Sequence, residues 1–184
     1  MLMQDLFHSL ESKEEYRKWH KSHAKSYLAH ILVVLDGGDP DLSGIEKITN
    51  WQIGFYNPND TLACFDMKDS QFNVEEEAKI FKKPGDKVQK LDLKKVKIDL
   101  SKALEEMKSL QTKKYPQSMP VRKFIVLQNS NEFGLVYNTT YITRTMETLN
   151  IKINAETGET SEECLHKLFD MDAGKIRQMK NSKK

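Results

Sequence analysis

Three segments in the second half of the chain follow one another with almost nothing between them. VRKFIVLQ from Val121 is a near-continuous apolar run, while FGLVYNTTYIT from Phe133 and TLNIKINA from Thr148 alternate apolar and polar residues. Period-two alternation marks a strand with one buried face. The connections NSNE and RTME are too short for a crossover, so consecutive strands must lie side by side as an antiparallel meander. Phe133, Leu135, Tyr137 and Tyr141 fall on one face of the second segment, and Leu149, Ile151 and Ile153 on one face of the third. A sheet with one apolar face needs a cover.

The sequence offers that cover immediately upstream. Asp99 can cap a helix running to about Lys113, with Ile98 stapling against Ala103 and Leu100, Ala103, Leu104, Met107 and Leu110 forming its apolar stripe. Tyr115-Pro116 and Met119-Pro120 stop it. After Gly158, Thr160 and Glu163 fit a capping box, which predicts a last short helix carrying Leu165, Leu168 and Phe169.

The first half repeats this order. From Ser12 to Asp36 a helical period gathers Tyr16, Trp19, His20, His23, Tyr27, His30, Ile31 and Val34 in one sector, with Lys18, Lys21 and Lys25 opposite. Asp36-Gly37-Gly38 and Pro40 close it. WQIGFYNPNDTLACFDM then reads as a hairpin with Trp51, Ile53 and Phe55 on one strand and Ala63, Phe65 and Met67 on its return. The following stretch is ambiguous, since EEEAKIFKK fits a helix or a strand; Lys-rich strands of this kind suit sheet edges. Trp51 aligns with Tyr137 and Phe55 with Tyr141, and DTLACF aligns with ETLNIK after one gap. Internal duplication and chance likeness among aromatic-rich strands are both open readings.

The expected fold is therefore α+β, an amphipathic helix packed on an antiparallel β-meander, duplicated if the alignment is real. The expected divisions are 1–97, a helix plus hairpin with a Lys-rich segment; 98–170, a helix, a three-stranded meander and a short helix; and 171–184, a basic tail expected to be disordered. Residues 175–184 hold five Lys/Arg and no acid, so the net charge of +2 hides a mildly acidic body.

The succession VKIDLSKALEEM, RKFIVLQ, LVYNTTYIT and LNIKINAETGE resembles the PepSY domain, in which a capped helix leads into a β-meander closed by a D-A-x-T-G-E-like turn. Asn154-Ala155-Glu156-Thr157-Gly158-Glu159 occupies that turn, with Asn154 at the usual Asp position. The likeness covers residues 96–160. It implies a non-catalytic module of inhibitory or regulatory binding type, as found in protease propeptides and cell-envelope proteins, and it supplies no catalytic residue. The turn also has a purely structural explanation, because Gly158 suits a positive φ and Asn154 and Thr157 can bond nearby backbone.

Chemistry-bearing patterns are weak. His20 and His23 are one turn apart on the predicted helix, a spacing that can chelate zinc, but no further ligand is specified. The same helix would bring His23, Tyr27 and His30 to one wall of a small-ligand pocket, the alternative being a half-buried face. DPDLSG at 39–44 opens like a calcium loop, yet Asn50 stands where the bidentate Glu belongs. Cys64 and Cys164 have no CxxC spacing; Cys164 and His166 would diverge on a helix. No catalytic residue, metal or cofactor is assigned. The acidic residues near the N-terminus and the short run YLAHILVVL predict neither a signal peptide nor a membrane span, so a cytoplasmic protein is expected. The expected partner is another protein or peptide, anchored by Trp51, Phe55, Tyr56, Tyr137 and Tyr141 if these stay exposed. Nucleic acid held by Lys79, Lys82, Lys83, Lys87, Lys90, Lys94, Lys95, Lys97 and the tail is the alternative from another class.

Overall fold

The computed structural model describes residues 3–36, 50–68, 71–79 and 87–167. Two short helices, α1 (Met3–Glu11) and α2 (Glu14–Ser22), precede four strands, β1 (Tyr27–Asp36), β2 (Trp51–Asn57), β3 (Thr61–Lys68) and β4 (Gln71–Lys79). A 3-10 turn at Leu93–Lys95 and helix α3 (Leu100–Lys114) lead into four more, β5 (Pro120–Ser130), β6 (Gly134–Thr143), β7 (Glu147–Asn154) and β8 (Thr160–Lys167). All eight strands form one sheet in the order β4-β3-β2-β1-β5-β6-β7-β8, and every neighbouring pair is antiparallel. The first strands of the two meanders, β1 and β5, meet at the centre.

The register explains the core. Directly opposed residues in an antiparallel sheet share a face. Phe65, Ile53, Ile31, Leu127, Tyr137 and Ile153 stand opposite one another across six strands, and each is at most 2% exposed. Helix α2 packs Tyr16 and Trp19 tilted against Phe55 and edge-on against Phe65 on this face, with Phe7 of α1 against Phe55. The Thr139 hydroxyl, also on this face, donates to the Met107 sulfur of α3. All three helices thus cover the same side of the sheet.

Helix α3 starts as the sequence predicts: Asp99 caps it by accepting from the Lys102 amide, and Leu100, Ala103, Leu104 and Met107 are buried. The closing turn also behaves as read. Gly158 has φ +84°, Asn154 Oδ1 accepts from the Glu156 and Thr157 amides, and the fully buried Ala155 offers its carbonyl to the Lys97 and Ile98 amides. The turn therefore holds the chain entering α3 against the end of β7.

Three expectations are corrected. The helix expected over Ser12–Asp36 ends at Ser22, and YLAHILVVLD is the central strand β1. A strand with neighbours on both sides reads as continuous apolar sequence, and its β-branched Ile31, Val33 and Val34 favour extended backbone. The short helix expected after Gly158 is β8: the open backbone groups of β7 take a hydrogen-bonded partner strand, which outweighs the local capping signal. Each meander consequently has four strands, where a hairpin and three strands were expected. The gapped pairing of DTLACF with ETLNIK also fails, because it matches Leu62 and Cys64 to Leu149 and Ile151, which lie on opposite faces of the sheet. Without the gap, Ala63 and Phe65 match Leu149 and Ile151, all on the covered face.

Candidate binding surfaces

The rows that alternate with the core rows face the other way, and no described helix lies over them. One runs Asp66, Gln52, Leu32, Val126, Asn138, Lys152, Glu162, and the next Val34, Phe124, Thr140, Asn150, Cys164. Apolar residues sit on the two central strands and polar ones toward both edges. Leu32, Val34, Phe124 and Val126 are half-buried, so this apolar centre keeps part of its surface exposed. Its polar surround is internally paired. Gln52 donates to Asp66 at 3.0 Å, Thr140 to Asn150 at 2.6 Å, Lys152 is ion-paired with Glu162, and Arg122 with Asp36 at 2.6 Å. A hollow of about 350 Å³ adjoins Leu32 and Val34.

His30 lies on this open face and its ring occupies the space beside Gly54, where a Cβ would fall within 2.7 Å of both ring nitrogens. Burial pushes the imidazole below its ordinary value, with a hydrogen bond to Gln52 acting in the opposite direction.

A second concavity of about 1030 Å³ opens where α1 and α2 approach the segment running through Lys95. Phe7, Tyr16, Phe55 and Leu91 give it an apolar floor, and its rim mixes His8, His20, Lys90 and Lys94 with Glu11, Asp92 and Glu156. Several polar groups there are spent on structure. Gln4 donates to the Leu93 carbonyl, Tyr27 to the Val88 carbonyl, and Asp92 caps the 3-10 turn.

The residues singled out in the sequence are dispersed. Trp51, Phe55, Tyr137 and Tyr141 are only 1–3% exposed beneath the helices, so they are core and not anchors. Tyr56 alone of the five lies on the open face, its hydroxyl donating to Asp60. His23 caps α2, its ring stacked on Trp19 at 4.7 Å and its Nδ1 against the Trp19 carbonyl; Tyr27 begins β1; His30 lies over Gly54. Among the described residues Tyr27 and His30 line different concavities, and His23 lines neither. Residues 39–44, Lys82, Lys83 and 175–184 lie outside the described residues. Helix α1 and the open-face rows were missed. Met3, Leu6, Phe7 and Leu10 repeat at helical spacing and would have located α1, whereas the open face needed the strand register.

Among the described residues no helix is long and apolar enough to cross a membrane. No family model and no curated protein matches the chain. Among solved structures it is similar to that of a putative lipoprotein from Clostridium difficile 630, at a TM-score of 0.48 and 8% identity, covering 83% of this chain and 91% of that one.

Proposed function

We propose that this protein is a non-catalytic module that binds another protein across the open face of its sheet. The observation carrying this reading is the pattern of that face, a half-buried, partly exposed apolar centre on β1 and β5 inside a polar surround. Seven inter-strand steps and strands of ordinary length give this side of the sheet roughly 900 Å², of which the end near His30 is shared with Lys87, Val88 and Gln89; one partner contributes about 800 Å² to a standard protein interface. A small ligand would leave most of it uncovered. Among the described residues Lys152 is paired with Glu162 and Arg122 with Asp36 within the face, which favours a protein partner over a polyanion.

The same reading takes the chain as a tandem of two PepSY-like helix-plus-meander units. Its support is the repeated element order, the antiparallel meeting of the two first strands, and the ungapped alignment that matches Trp51, Phe55 and Phe65 to Tyr137, Tyr141 and Ile151 on one face.

A photocrosslinking residue placed at Phe124 or Thr140 tests the proposal against one at exposed Glu106 on α3. A partner captured from the face positions, displaced by excess wild-type protein and not by Val126→Glu, supports it. Equal capture from Glu106 sinks it.

A further inference from the structure

We propose that Cys164 and His166 form a thiol–imidazole pair that exchanges with low-molecular-weight disulfides, making Cys164 a reversible modification site at the sheet edge. In a helix two residues apart these side chains would diverge; in β8 they project from one face, and the Cys164 sulfur lies 3.1 Å from His166 Nε2. That is the reach a base needs to accept a thiol proton. No described strand lies beyond β8, Cys164 is half-buried, and His166 is exposed. Opposite them on β7 stand Asn150 and Thr148. Cys64 is 8% exposed on β3, across five intervening strands, so the two thiols cannot bridge each other.

The exchange is balanced without further reagents. His166 Nε2 takes the thiol proton, and the Cys164 sulfur attacks one sulfur of the small disulfide. The old S–S bond breaks as the new one forms, and the departing thiolate takes the proton back from the imidazolium. The product is a mixed disulfide on Cys164 and one free small thiol.

The test is incubation of the full-length protein with oxidised glutathione, followed by peptide mass measurement and a rate profile from pH 5 to 9. One adduct on Cys164, with Cys64 unmodified, is expected. The profile should contain an inflection contributed by the imidazole. His166→Gln should remove that inflection and slow the reaction at neutral pH by roughly three- to tenfold, with an unchanged circular dichroism spectrum. A wild-type profile with a single thiol inflection, an unchanged rate in His166→Gln, or equal labelling of Cys64 would each overturn the assignment. The wild-type profile decides the matter even if the variant folds poorly.

Discussion

The Tyr137 hydroxyl donates to the Ile98 carbonyl at 2.8 Å, joining the middle of β6 to the residue before the cap of α3. Both residues are buried, so the bond fixes where the helix enters relative to the sheet. Tyr137→Phe leaves that carbonyl without its donor and should cost about 1–3 kcal/mol, read from urea unfolding. Burial, with the Asp99 carboxylate adding to it, holds the phenol well above its ordinary value. The neutral phenol is therefore the folded form. Its contribution should be complete below pH ~10 and decline as pH rises above that, a slope absent in Tyr137→Phe.

Gly54 gives His30 its place, and a methyl group there would displace the ring. Gly54→Ala should lower stability by about 1–3 kcal/mol. His30→Ala clears the space, so the double variant should lose less than the two single losses combined, as measured in an unfolding cycle. Strict additivity would mean the two residues do not share that space.

The His30 imidazole titrates below its unfolded value because burial disfavours its charged form. The unfolded chain then binds the proton first as pH falls. Stability should be unaffected by this group above pH ~6.5 and should diminish below it, until the lowered folded value is passed. His30→Gln should flatten that part of the stability–pH curve, with denaturation midpoints between pH 5 and 7 as the readout.

At the closing turn, Gly158 sits at φ +84° with its α-carbon facing Ile98, and Asn154 accepts two amide hydrogens. Gly158→Ala should cost about 1–2 kcal/mol in backbone strain. Asn154→Asp should be close to neutral, since a carboxylate accepts the same two bonds, and Asn154→Ala should cost about 1–2 kcal/mol. Thermal unfolding of the three variants separates these outcomes.

Legibility followed the locality of the signal. Strands β5 to β7, the Asp99 cap and the Asn154–Glu159 turn were readable because alternation, capping and positive φ are written within a few residues. Strand β1 was misread because its neighbours β2 and β5 arrive from distant sequence, and an apolar run of that length fits either period. β8 was misread because Thr160 and Glu163 satisfy a helix cap locally, while the deciding partner is β7. Of the five aromatic residues chosen as anchors, Trp51, Phe55, Tyr137 and Tyr141 mark the face the helices cover, and Tyr56 alone lies on the other. Which face stays open is a property of the assembled sheet, as are the Cys164–His166 approach and the seat of His30 beside Gly54.

The central meeting of β1 and β5 carries a consequence for biosynthesis. On the ribosome β1 emerges long before β5 exists, so the flank of YLAHILVVL opposite β2 stays unpaired while the second half is made. Nascent chains released before Pro120 will present an apolar, hydrogen-bond-hungry edge and will precipitate or recruit holdase chaperones, whereas breaks beyond β5 will leave that seam closed.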